Sequence, residues 1–224
     1  IERFIQSRPS DVSFVIDQML AGQSGLEIIP DQIGMSGHSF GGWTTLKALE
    51  TDERIRAALP LAPAGGFTAM DADNVMAKEL SFTWKREVPV LYIVAELDSI
   101  LPLQGMQDMF NRNPDPKTTV VLLNADHFHF NDAIEQTHDG YKSMLGMLAG
   151  GMDEDTRHTM ETMMAGMKLS SELVAGDDAY ALINGLGLAH FDRELRGSQE
   201  AASFLSGDLV AMLGDRHIKV KLLL

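Results

Sequence analysis

The chain has 224 residues, of which 45% are hydrophobic, and this is enough to bury the core of one domain, or of one domain with an appended segment. It carries 18 Lys and Arg against 32 Asp and Glu, and the resulting net charge of −14 makes nucleic acid and anionic lipid unfavourable partners. The chain contains no cysteine, which excludes disulfides, thiolate catalysis and cysteine-ligated zinc.

The sequence carries no signal that identifies a cellular compartment. No apolar run approaches the roughly 18 residues that cross a bilayer, and no signal peptide is visible. Because the chain opens at Ile1 rather than at methionine, we expect its true N-terminus to lie upstream. A cysteine-free protein suits either side of a membrane, so the compartment stays open.

The first 131 residues alternate between apolar runs and amphipathic segments. Helices are predicted at residues 8–22 and 40–50, and buried strands at residues 32–36, 57–61, 88–95 and 118–123. The run at 88–95, VPVLYIVA, is continuously apolar, as expected of a strand covered on both faces. This alternation predicts an α/β fold, with a mostly parallel sheet and helices on both of its faces.

The character of the sequence changes after Asn131, because residues 132–214 contain no convincing strand. An amphipathic helix is predicted at 153–169 from four methionines at helical spacing, namely Met160, Met163, Met164 and Met167. Further elements are predicted in a series: a helix from Asp177 or Asp178 towards Gly197, a helix from Ser198 to near Gly214, and a weak terminal strand at 218–222.

A G-x-S-x-G pattern lies at Gly37, Ser39 and Gly41. By chance, roughly one chain of this length in ten carries it, but here it follows a predicted strand and precedes a predicted helix. That setting is typical of a nucleophile elbow, in which a strained turn projects the serine hydroxyl from the top of the sheet. The glycines let strand and helix approach closely, and the Phe40 N–H can stabilise an oxyanion. The side chain of His38 is expected to point away from the serine. The competing interpretation is a glycine-rich turn with an incidental serine.

Candidates for an acid and a base follow the next two predicted strands. Asp98 comes after the run at 88–95, in AELDSILP, and we favour it over Glu96 because the chain needs a residue or two to leave the strand. His127 comes after the run at 118–123, in NADHFHF, and is preferred to His129, which could substitute for it. A serine needs a base that a third group orients, and the order serine, acid, histidine is that of the α/β-hydrolases.

Three segments together carry a family likeness: GHSFGG, VPVLYIVAELDSILP and NADHFHF. They resemble the dienelactone hydrolase and platelet-activating-factor acetylhydrolase-like branch of the α/β-hydrolases, and residues 8–20 and 188–209 resemble helices of that branch. The resemblance implies an α/β-hydrolase fold and a serine esterase that needs no metal or organic cofactor. It also implies Ser39 as nucleophile, Asp98 as acid, His127 as base and the Phe40 N–H as one oxyanion donor.

The chain departs from this family at its beginning. Family members place four strands and a helix before the segment at 8–22, and these elements are absent. We therefore expect a missing N-terminal half or a second chain to complete the sheet and supply the second oxyanion donor, since a raw sheet edge invites pairing. Residues 1–131 are expected to form the core with the elbow, 132–178 a helical insertion, and 179–224 the closing helices. The insertion is either a cap or docking face, or it packs against the sheet or a dimer mate.

The predicted activity is hydrolysis of a small or short-acyl ester or lactone, and two other interpretations stay open. The first is a non-catalytic binding protein that kept the fold. The second is a metal hydrolase, with candidate ligands Asp126, His127, His129 and Asp132, although no further histidine stands at a recognisable spacing.

Overall fold

A computed structural model describes residues 2–68 and 73–223, apart from the side chains of Glu2, Thr159 and Met163. The strands are β1 (Ile33–His38), β2 (Ile55–Leu61), β3 (Val90–Ala95), β4 (Lys117–Leu122) and β5 (Val220–Leu223). The helices are α1 (Glu2–Leu20), α2 (Phe40–Thr51), α3 (Val75–Glu79), α4 (Leu103–Arg112), α5 (Ile134–Ala149), α6 (Glu154–Gly166), α7 (Gly176–Arg196), α8 (Gln199–Leu205) and α9 (Leu209–Gly214).

The five strands form one sheet in the order β1-β2-β3-β4-β5. The first four strands are parallel, and β5 runs antiparallel to β4. Because the first four strands share one direction, the loops that leave their carboxyl ends meet at one edge of the sheet. The predicted α/β fold with a mostly parallel sheet is confirmed.

Helices cover both faces of the sheet, and β3 shows how the sequence divides the core between them. Its alternate side chains Val90, Tyr92 and Val94 belong to the cluster that contains apolar residues of α1, α2 and α4. Its other side chains, Leu91, Ile93 and Ala95, belong to the cluster that contains residues of α7 and α9. All six positions of β3 are buried, which explains why this strand is apolar throughout.

Two predicted helices have different boundaries in the structure. The predicted helix at 8–22 begins at Glu2, with Pro9 inside it, and burial of Ile5 against the core offsets the hydrogen bond that proline removes. The single helix predicted from Ser198 is two helices, because a new cap begins at Asp208, whose carboxylate accepts from the Ala211 N–H at 3.0 Å.

Strand β1 lies at a free edge of the described sheet. Beside it, α1 and β1 line an open, mostly apolar groove of about 510 Å³, whose walls include Val12, Ile16, Met19, Ile33 and Met35. A parallel strand with unpaired backbone groups next to an apolar groove is a surface that another strand could cover.

The insertion predicted at 132–178 contains the helices α5 and α6. The predicted amphipathic helix at 153–169 corresponds to α6, although the side chain of Met163 lies outside the described residues. Met147 of α5 is 80% exposed, and Met144 and Leu148 are also exposed. Across residues 2–68 and 73–223, no helix combines the length and the apolar character needed to cross a membrane.

Candidate active site

Ser39 occupies a strained turn between β1 and α2. Its backbone has φ 57° and ψ −117°, a conformation that side-chain-bearing residues rarely adopt and that is typical of functional sites. The turn is fixed to the neighbouring strand, since the Ser39 N–H donates to the Leu61 carbonyl at 2.9 Å. The Ser39 carbonyl accepts from Trp43 and Ala64 N–H groups, both at 3.0 Å. The backbone around the serine is therefore held rigidly on three sides.

The Ser39 side chain does not cap the helix that follows it. The hydroxyl is thus not used by the N-terminal turn of α2, whose first N–H groups have no partner within the helix. Phe40 is the first residue of α2, and its ring stacks on Trp43 with centroids 5.4 Å apart. The predicted oxyanion donor, the Phe40 N–H, therefore lies at the start of a helix, next to the serine.

The glycines of the elbow do not all have the steric role that the motif predicts. A Cβ atom on Gly37 would lie 2.4 Å from the carbonyl oxygen of Gly41, and one on Gly42 would lie 2.8 Å from the Cβ of Pro63. A Cβ atom on Gly41 would meet nothing within 4 Å among the described residues. The close approach of strand and helix therefore accounts for glycine at positions 37 and 42 but provides no reason for it at 41.

Asp98 and His127 meet at the edge of the sheet where β3 and β4 end. The Nδ1 of His127 lies 2.8 Å from the Oδ2 of Asp98, and both side chains are buried. The other oxygen of Asp98 accepts from the N–H groups of Ile100 at 3.0 Å and Leu101 at 2.6 Å. With Nδ1–H donating to the carboxylate, Nε2 is the nitrogen left to accept a proton.

The two competing side chains are engaged elsewhere. His129 accepts from the Asp126 N–H through Nδ1 at 2.9 Å and donates through Nε2 to the Val174 carbonyl at 2.9 Å. Glu96 accepts from the Asn124 N–H at 3.0 Å, and Lys221 approaches its other oxygen at 3.4 Å. Both nitrogens of His129 are therefore occupied by backbone groups, and Glu96 contacts both the loop after β4 and strand β5.

Asp126 has a role that sequence reasoning missed. Its Oδ1 accepts from the Ser99 hydroxyl at 2.8 Å, from the Ser99 N–H at 3.2 Å and from the His127 N–H at 2.5 Å. These bonds join the loop that carries Asp98 to the loop that carries His127, so they fix the spacing of the pair. The sequence contains no signal for the link, because the two loops become neighbours only in the sheet.

His38 is the second feature that the sequence did not reveal. Its ring lies against the ring of His127, with centroids 4.5 Å apart, and against Phe130 at 5.6 Å. Since His38 directly precedes Ser39, this contact brings the His127 imidazole to the elbow. Burial lowers the pKa of His38 to about 4, and the neighbouring His127 contributes to the same shift. His38 is therefore uncharged at neutral pH.

The metal hypothesis finds no support in the geometry. Both nitrogens of His129 are hydrogen-bonded to backbone groups, and Nδ1 of His127 is bonded to Asp98. Across the described ranges, no three His, Asp or Glu side chains converge as a metal site requires.

Residues 7–174 match a family model whose description is "PETase: PET hydrolase-like". The chain belongs to this family. The matched part of this PET hydrolase-like chain includes the three side chains Ser39, Asp98 and His127. Membership of the α/β-hydrolase superfamily is thereby confirmed, whereas the finer likeness to dienelactone hydrolases and acetylhydrolases stays a prediction.

Individual relatives agree with the family match. Cutinase est1 of Thermobifida alba is 31% identical over 161 residues, which are 68% of this chain and 48% of the relative. The bis(hydroxyethyl) terephthalate hydrolase of Streptomyces coelicolor is 28% identical over 145 residues, covering 62% of this chain and 41% of the relative. The solved ferulic acid esterase from Streptomyces cinnamoneus superposes with a TM-score of 0.54 at 22% identity, over 87% of this chain and 49% of that one. The last likeness concerns the fold alone.

The chain spans about half the length of the curated relatives it matches, with 48% for the cutinase est1 and 55% for the Cutinase 2 of Thermobifida cellulosilytica. The residues 7–174 that match the family model contain β1 to β4, the strands that carry the elbow, the acid and the histidine.

Proposed function

We propose that this chain carries the catalytic residues of a serine carboxylic-ester hydrolase, with Ser39 as nucleophile, His127 as base and Asp98 as the group that orients the base. The observation that carries the proposal is the buried 2.8 Å contact between His127 Nδ1 and Asp98 Oδ2, next to a serine in a strained turn. Similarity to cutinases and to a bis(hydroxyethyl) terephthalate hydrolase supports the same reaction class.

The first half of the reaction forms an acyl-enzyme. The Ser39 Oγ attacks the ester carbonyl carbon while Nε2 of His127 takes the hydroxyl proton, and the carbonyl electron pair moves to the oxygen. The Phe40 N–H donates to the resulting oxyanion, and Asp98 stabilises the imidazolium through Nδ1–H. The oxyanion then collapses, the ester C–O bond breaks, and His127 returns its proton to the leaving alcohol.

The second half releases the acid. Water attacks the acyl carbon of the ester on Ser39 and loses its proton to His127. Collapse of this second oxyanion breaks the bond to Oγ, and the proton on His127 goes back to the serine. The carboxylic acid leaves, so ester and water have become acid and alcohol, with no metal or redox partner consumed.

We infer that the substrate is a small or short-acyl ester or a lactone. The named relatives act on cutin or on a terephthalate ester according to their names, so esters of both aliphatic and aromatic acids are the classes to compare. Hydrolysis of p-nitrophenyl butyrate, bis(hydroxyethyl) terephthalate and a five-membered lactone by the same preparation would rank them.

We further infer that another polypeptide segment pairs with the free edge of β1. The groove of about 510 Å³ beside that edge, and a match to about half of each relative, support a further strand from a longer polypeptide or a second chain. That segment is also the expected source of the second oxyanion donor. A pull-down with this chain at fixed concentration tests this inference. So does the ester hydrolysis of a longer polypeptide that includes the further segment.

The nucleophile is tested by comparing the chain with its Ser39→Ala variant. We expect hydrolysis of p-nitrophenyl butyrate to fall by at least about 1,000-fold, and a fluorophosphonate probe to label Ser39, as mapped by peptide mass spectrometry. The matched control is Ser36→Ala, three residues away, which removes a structural hydroxyl bonded to the Leu59 carbonyl at 2.8 Å. Equal hydrolysis by wild type and Ser39→Ala would leave the alternative, a binding protein with this fold. Loss of activity in EDTA would point instead to a metal.

A further inference from the structure

His38 is a half-buried titratable side chain that the proposed reaction does not use. Its ring is tilted by 43° against the His127 ring, with centroids 4.5 Å apart, and the centroid of the Phe130 ring lies 5.6 Å from that of His38. The Nε2 atom of His38 is buried and has no hydrogen-bond partner in the described part of the chain. The hydrogen-bonding contacts of the His38 ring are with the Asn131 side chain and the His127 backbone, so the unpaired Nε2 is a cost that packing of the ring has to offset.

We propose that His38 is a positioning residue, which packs an uncharged ring against the His127 imidazole and holds that imidazole between Asp98 and Ser39. The inference rests on the proposed function, since it assigns a role to the neighbour of the proposed base. Two features of the ring matter: its flat surface, which limits rotation of the His127 ring, and its lack of charge.

The flat surface matters because the hydrogen bond to Asp98 fixes only the Nδ1 side of the His127 ring. The bond from Nδ1 to Asp98 lets the ring pivot about that contact, and Nε2 would then move relative to the serine. A neighbouring ring at van der Waals distance blocks this movement from one side. A displacement of about 1 Å in a catalytic group can lower the rate by about 100-fold, so even a modest pivot has a measurable effect.

The lack of charge matters because His127 becomes an imidazolium during each half of the reaction. A second positive charge at a ring distance of 4.5 Å would oppose that step. The titratable group whose charge acts on His38 within the described chain is His127 itself, and Asp98 is bonded to the Nδ1 edge of that ring. Asn131, which follows His127 in the loop after β4, makes only a neutral hydrogen-bonding contact with His38. The partial burial that lowers the His38 pKa to about 4 leaves the ring uncharged at neutral pH.

The test uses three substitutions at one position, which separate shape from charge. His38→Phe keeps a neutral ring, and His38→Met is neutral without a ring. His38→Lys has an unbranched side chain similar in length to that of methionine, but it adds a positive charge. We expect Phe to restore most of the wild-type kcat, and Met to lower kcat by about tenfold with KM changed less than about threefold. We expect Lys to lower kcat further and to move the acid limb of the kcat/KM profile down by about one to two pH units, because a fixed cation disfavours the imidazolium.

A second readout does not depend on turnover. The proton in the bond between His127 Nδ1 and Asp98 gives a downfield NMR resonance when the ring is held in place. We expect this resonance in wild type and His38→Phe and its broadening in His38→Met, with thermal unfolding showing that each variant is folded.

Three results would overturn the inference. One is a Met variant with wild-type kcat and resonance, which would mean that the ring does not position the base. Another is an acid limb that lies at the same pH in the Lys and Met variants, which would mean that charge at position 38 does not reach His127. The third is a Phe variant as impaired as Met. Failure of the proposed function itself is a different outcome, since Ser39→Ala would then hydrolyse esters as fast as wild type.

Discussion

The elbow glycines lead to a prediction in which two similar substitutions have opposite effects. Gly37→Ala and Gly41→Ala each add one methyl group to the same G-x-S-x-G pattern. The methyl on residue 37 would lie 2.4 Å from the oxygen and 2.5 Å from the carbonyl carbon of residue 41. The methyl on residue 41 would enter open space. The motif alone would predict equal damage, so the pair isolates what the structure adds.

The expected magnitudes follow from these contacts. The clash at position 37 involves backbone atoms, which cannot rotate away as a side chain can, so we expect a cost at the upper end of overpacking, about 3 kcal/mol. For a chain of this size that lowers Tm by roughly 6–12 °C. The forced separation of β1 and α2 also moves Ser39, and a shift of about 1 Å lowers kcat/KM by about 100-fold. Gly41 lies in the first turn of α2, where alanine stabilises a helix by about 0.5–1 kcal/mol relative to glycine.

The assay combines urea or thermal unfolding with hydrolysis of p-nitrophenyl butyrate and fluorophosphonate labelling of Ser39. We expect Gly37→Ala to lose stability, activity and labelling together, and Gly41→Ala to keep all three, with a slight gain in stability. If Gly41→Ala is as damaged as Gly37→Ala, the steric reasoning is wrong, and an occupant of the space beside Gly41 has been overlooked.

Two more predictions concern histidines and their partners. Asp98→Asn should lower kcat by about 1,000-fold or more with little change in stability, because the His127 ring loses its orienting carboxylate. His129→Leu should instead lower the free energy of unfolding by about 2–4 kcal/mol, because two buried backbone groups lose their hydrogen-bond partner. Unfolding and kinetic measurements on both variants separate these roles, and a stable but inactive His129→Leu variant would contradict them. Burial lowers the pKa of His190 to about 4, so the unfolded chain binds more protons than the folded chain between about pH 6.5 and 4. The free energy of unfolding therefore falls as pH falls through that window, by about 3 kcal/mol for this residue. His190→Phe should flatten that part of the stability profile in urea unfolding at pH 7 and 4.5, and an unchanged slope would show that His190 is protonated in the folded state.

Local patterns predicted much of the architecture. The four parallel strands were visible as short runs rich in apolar residues, and most positions of β2, β3 and β4 are buried as such runs predict. The helix α4 between β3 and β4 was not predicted from periodicity, although a parallel crossover requires a connection of that kind. The start of α1 was also missed, because burial of Ile5, a tertiary contact, outweighs the local preference of Pro9.

The order and spacing of the chemical groups can be read from residue types along the chain: a serine between glycines, then an acid after one buried strand, then two histidines after the next. Such information is local, since it depends on residue types and on strand ends. The choice between neighbours two residues apart depends on tertiary contacts, which place Asp98 rather than Glu96 against His127 and pair both nitrogens of His129 with the backbone. The tertiary structure also brings His38 against His127 and Asp126 against Ser99. These contacts join loops and strands that are far apart in the chain, so the packing of the sheet sets their distances.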